Sequence, residues 1–128
     1  MLRSIGAVAA GYIIFGVSAA LLFQLSGQEP HADAPLAFKI ASTIWGAVFA
    51  LVAGWLTARI APRKPTTHAA FVAGLIALGA VISIAARPSD ALWSQTAALV
   101  VMAPCAVIGG VISSRGRAGA IDTGDGGG

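Results

Sequence analysis

Four stretches of this chain run for 18 residues or more without a charged side chain, and no other feature constrains the fold as strongly. They are Ile5 to Leu25 (21 residues), Ile40 to Ala58 (19), Ala69 to Ala86 (18) and Ala91 to Ser114 (24). A helix needs about 20 predominantly apolar residues to cross the hydrocarbon core of a bilayer. The runs account for 82 of 128 residues, so little is left for a domain in water. Charged residues make up 10% of the chain and hydrophobic ones 57%, against about 25% and 45–50% in soluble domains. A chain this short could bury only about two-thirds of its surface in water, which would leave much of that apolar area wet. The expectation is an all-α integral membrane bundle of four transmembrane helices, near residues 5–25, 38–60, 67–86 and 91–114. These form a domain over 1–115, and the glycine-rich segment 116–128 is expected to be a disordered cytoplasmic tail. The first run exceeds the roughly 7–15 apolar residues of a secretory signal and is read as a helix.

The basic residues border the runs instead of forming a stripe, which argues against a nucleic-acid footprint despite the net charge of +3. They read as topology signals. With the N-terminus in the cytoplasm, Arg3, Arg59, Arg63, Lys64, Arg115 and Arg117 lie inside, and only Lys39 and Arg87 lie outside. Six against two is the asymmetry expected of a multi-pass protein with both termini cytoplasmic. Trp55 then falls near the inner boundary and Trp93 near the outer one, beside the lipid head groups that such rings prefer. His68, with Arg63 and Lys64, is an interfacial polar residue able to meet a lipid phosphate. Thr66 or Thr67 is the expected N-cap of the third helix.

Small residues recur every fourth position in the second run: Ser42, Gly46, Ala50, Gly54 and Ala58. The fourth run carries Ala98, Met102, Ala106, Gly110 and Ser114 at the same spacing. Such a face lets two helix backbones approach closely in lipid, either within one bundle or against a second copy or another membrane protein. Aligned at an offset of 56, residues 53–59 match residues 109–115, the pattern of two parallel helical-hairpin repeats. Pro104 cannot donate to the carbonyl of Val100, so the fourth helix should be kinked or unwound there.

Chemistry-bearing residues are sparse. The runs hold no Asp, Glu, Lys, Arg or His, which speaks against proton-coupled transport. Small multidrug-resistance transporters have this length and helix count but carry a glutamate in mid-first helix, where this chain has Tyr12, Ile13 and Ile14. His31 and His68 lie outside the runs, so haem ligation across the core is not expected. Glu29, His31 and Asp33 would share one side of an extended segment, but are read as an ordinary polar loop. No serine elbow or phosphate loop is present, and the single Cys105 is read as a buried small hydrophobe. No catalytic residue, metal or cofactor is assigned.

Around Gly54-Trp55-Leu56-Thr57-Ala58-Arg59-Ile60-Ala61-Pro62 and His68-Ala69, the chain resembles small uncharacterised four-helix proteins of bacterial cytoplasmic membranes. That resemblance implies an inner-membrane location and this architecture, with no activity to carry over. The functional expectation is a non-enzymatic packing or accessory component whose partners are lipid, a second copy or another membrane protein. The alternative is a subunit of an oligomeric small-molecule transporter or channel, with Thr43, Ser83 and Thr96 lining a polar path at a subunit interface.

Overall fold

The computed structural model describes residues 1–88 and 90–124. It contains α1 (Leu2–Ser26), α2 (Leu36–Ile60), α3 (Pro65–Ala86) and a fourth rod built from α4 (Trp93–Ala97), a π-helical turn (Ala98–Met102) and α5 (Ala103–Gly124). All four rods are long and apolar enough to cross a membrane. The protein is therefore an all-helical bundle with four membrane-spanning candidates.

Each helix end has a local cause. Gly27 closes α1 in the left-handed conformation (φ 68°), which costs a residue without Cβ little. Pro35 precedes α2, and Pro65 opens α3 at its first position, where a missing N–H is no loss. That proline moves the start of α3 ahead of the expected threonine cap. Lys64 is the N-cap (φ 46°), and Thr66 instead reaches Ser114 Oγ at 3.4 Å. In the fourth rod, disruption falls just before Pro104, as its missing donor requires. The Ala103 N–H bonds to Ala98 O, five residues back, and this wider turn steps the ladder past the gap.

The tail departs from expectation. Helix α5 continues through Gly124, where a disordered segment was anticipated from Gly116. Arg117 accounts for part of this, donating to the carbonyls of Ala58 (2.9 Å) and Ala61 (3.1 Å) at the end of α2. Residues 125–128 of that segment lie outside the described ones.

Around the bundle the order is α1, α2, fourth rod, α3, and α2 also touches α3 across the middle. Viewed along the axis this is a rhombus, with α1 and α5 at its far corners, out of contact. Exchanging the two hairpins would map the sides onto each other but not the short diagonal. The packing is thus asymmetric even where the sequence repeats.

Large apolar side chains face outward, among them Ile13, Val17, Val48, Ile82, Val100 and Ile108. The interior is mostly alanine, with Ala7, Ala50, Ala53, Ala58, Ala69 and Ala106 fully buried. Lipid imposes no penalty on exposed leucine or valine, so helices gain by bringing backbones together over small residues. At Gly54 a Cβ would run into the backbone of Ala106, and at Gly109 into the carbonyl of Leu51. These contacts close the half of the bundle nearer the 61–64 connection, here called the basic end.

Candidate functional site

At the opposite end the helices line a chamber of about 310 Å³. Its walls are apolar: Phe15, Leu22, Phe23, Ile76 and Trp45. Trp45 is held by its Nε1, which donates to Ser18 O at 3.2 Å, and its ring lies 4.9 Å from Phe49. The floor is Met102, in the π turn, which fills the space left by Gly46; a Cβ there would collide with it. Tyr12 closes the side between α1 and α3.

The roof is polar, and it is made by a loop. Between Gly27 and Pro35 the chain folds back over the bundle and is tied to the start of the fourth rod. Ala91 N donates to His31 O (3.1 Å), Trp93 Nε1 to Ala32 O (2.9 Å) and Ser94 Oγ to Pro30 O. These bonds turn the His31 imidazole inward. Its Nδ1 lies 2.9 Å from Gln95 Nε2, and its Nε2 lies 3.4 Å from Ser83 Oγ. Gln95 is only 6% exposed and also approaches Ser83 Oγ at 3.4 Å and Ser94 Oγ at 3.0 Å. An amide, an imidazole and two hydroxyls can each donate and accept, so this cluster can adapt to a guest oxygen of either kind. The two contacts to Ser83 are long, which makes its hydroxyl the easiest partner to recruit. Asp, Glu, Lys and Arg are absent from the lining.

The acidic loop residues do not join His31. Asp33 turns outward to Lys39, and that hydrogen bond, followed by the Ala34 N–H and the lysine charge, holds its carboxyl below the ordinary aspartate range. Among the described residues no three His, Cys, Asp or Glu side chains converge as metal ligands.

The small-residue stripe of α2 is entirely inside the chain. Ser42 and Gly46 line the chamber, whereas Ala50, Gly54 and Ala58 belong to the closed half. Across from them Ala106 abuts Gly54, and a Cβ on Gly110 would meet Ala69. At the basic end, Arg59 lies over the Trp55 ring at 5.3 Å, Arg63 and Lys64 are exposed, and His68 Nδ1 donates to Lys64 O at 3.0 Å. Trp93 sits at the opposite end, edge-on to Phe38 at 6.0 Å.

Within a single copy Thr43, Ser83 and Thr96 lie on different faces. Ser83 faces the chamber, but Thr43 bonds back to Lys39 O (2.7 Å) and Thr96 to Leu92 O (2.8 Å) on exposed or half-buried faces. Helix phase decides this: of the consecutive Ser94, Gln95 and Thr96, it is Gln95 that points inward. A search for charges passes over glutamine, although three polar residues together at the mouth of an apolar run are a signal in themselves. Trp45 was equally unmarked, lying in mid-run away from either boundary.

Fold and site together define the class: a small multi-pass membrane protein with a partly hollow four-helix bundle. The chain matches no protein-family model, no curated protein and no solved structure.

Proposed function

We propose that this protein is a non-enzymatic membrane component that takes up a small, uncharged molecule from the bilayer into the chamber. The observation that carries this reading is the pairing of an apolar wall with one adaptable polar cluster, His31, Ser83 and Gln95, at its roof. Binding pockets for small molecules combine mostly apolar linings with a few placed polar groups, and start at about 300 Å³. The absence of lining charge favours a neutral guest with a hydroxyl or carbonyl head and a short apolar body. In this reading the basic end and both termini face the cytoplasm of a bacterial inner membrane, supported by the six-to-two distribution of Arg and Lys. The chamber then opens toward the outer leaflet.

The test uses 4-hexylphenol and hexylbenzene, titrated calorimetrically into the protein in nanodiscs. The phenol should bind saturably, one per chain, and at least about tenfold more tightly than hexylbenzene, the ratio expected when about 1.4 kcal/mol of hydrogen bonding is lost. Gln95→Leu should remove that preference, and Ala19→Trp, which fills the chamber, should remove saturable binding of both. Equal, unsaturable uptake of the two probes in every variant would defeat the reading.

The transporter alternative has one observation in its favour. The chamber floor is Met102 in the π turn, a segment whose hydrogen-bond register differs from its neighbours and a kind of turn often found at functional sites. Passage to the other side would still require parting α2 from α5 at Gly54 and Gly109.

A further inference from the structure

A second recess lies outside the chamber, in the bundle surface between α1 and α3, and it has a different character. It is about 570 Å³, open along its length, and walled by Ile5, Val8, Ala9, Phe71 and Leu75. Ser4 and His68 mark its mouth at the basic end, and Tyr12 stops it at mid-span. From residue 4 to residue 12 a helix advances about 12 Å, so the groove reaches most of the way through one leaflet. Nothing polar lines it below the mouth except the Tyr12 hydroxyl.

The end of the bundle that holds the mouth carries Arg3, Arg63 and Lys64. Arg3 donates through Nε to Ile60 O at 3.2 Å, which brings the start of α1 to the connection that carries Arg63 and Lys64. Lys64 is held at φ 46°, a conformation unusual outside glycine, and its carbonyl takes the Nδ1–H of His68. That bond fixes the ring and leaves its Nε2 free beside the groove. The segment from Arg59 to His68 contains no acidic residue, and both ion pairs among the described residues are at the other end. Arg3, Arg63 and Lys64 therefore belong to the same end of the bundle as the groove's mouth, where His68 lines the apolar slot itself.

The geometry points to a binding site for one anionic phospholipid, with its phosphate among Arg3, Arg63, Lys64 and His68 and an acyl chain in the groove between α1 and α3. Clustered Arg and Lys at the membrane boundary attract anionic head groups by about 1 kcal/mol each. The groove adds what a basic surface alone lacks, a reason to keep one lipid in place. This site shares only Tyr12 with the chamber's wall, and the reading of either does not rest on the other.

Native mass spectrometry of the full chain, released from micelles containing equal amounts of dioleoyl phosphatidylglycerol and dioleoyl phosphatidylcholine, tests the proposal. One phosphatidylglycerol should be retained per chain in clear excess over phosphatidylcholine. Arg63→Gln with Lys64→Gln should lower that retention about 25-fold, from about fivefold per cation. Ala9→Trp, at an exposed position lining the slot, should lower it with every charge intact, and inorganic phosphate should not displace the lipid. Helical circular dichroism of each variant must match the parent. Equal retention of the two lipids would overturn the proposal. So would loss in the double variant with full retention in Ala9→Trp, since that outcome describes a surface charge effect without a groove.

Discussion

Single residues set how closely these helices approach. Gly54 and Gly74 are both mid-helix glycines, yet they serve opposite ends. The first has the backbone of Ala106 where a methyl group would go, and the second has nothing within 4 Å. Gly54→Ala should lower stability by about 1–3 kcal/mol, because backbone cannot yield as a side chain can. Gly74→Ala should leave it unchanged or raise it by up to about 1 kcal/mol, through helix propensity alone. Reversible unfolding in mixed micelles measures both, and a Gly54→Ala variant as stable as the parent would show that α2 and α5 do not touch at Gly54. A second pair sits at the offset of the sequence repeat. Thr57 is fully buried and donates to Ala7 O at 3.1 Å across the space that Gly11 leaves open. Its counterpart Ser113 is buried with no partner for its hydroxyl. Thr57→Val should cost about 0.6–1.7 kcal/mol, the range for interhelical hydrogen bonds in membranes, while Ser113→Ala should cost nothing. If Ser113→Ala destabilises as much as Thr57→Val, the Ser113 hydroxyl has a partner after all.

Among the elements, the connections behave differently from the spans they join. The 61–64 link is four residues long, with Arg63 and Lys64 held between Pro62 and Pro65, and it presents charge. The longer 27–35 link is drawn back over the bundle and hydrogen-bonded there, so it shapes the chamber instead of merely spanning a gap. Their sides of the membrane are proposed from the basic residues. Reporter fusions at Pro65 and after the last residue should read cytoplasmic, and one at Ala32 external. A cytoplasmic signal at Ala32 would invert the assignment and turn the chamber toward the cytoplasm. The fourth rod shows how far an element can be anticipated. Its fault at Pro104 was predictable because a missing N–H is a property of one residue, but the π turn that absorbs it also depends on where Met102 must point to meet Gly46.

At the scale of the whole molecule, the bundle is closed at one end and hollow at the other, and its two hairpins, alike in sequence, are packed unlike. Span number and approximate length were determined by the sequence alone. Hydropathy accumulates residue by residue along a single helix and needs no knowledge of neighbours. The small-residue face of α2 was legible for the same reason, since four-residue spacing on one helix is a local fact. Which helix covers that face was decided by the tertiary structure, and so was the end at which the stripe loosens into a chamber. The meeting of His31, Ser83 and Gln95 belongs there too. The histidine is 52 residues from the serine and 64 from the glutamine, and it reaches them only because a loop is tied back across the bundle. Contacts over such separations depend on helix phase, on the crossing set by Gly54 and Gly109, and on the loop's own hydrogen bonds, none of which is written in any single stretch of chain.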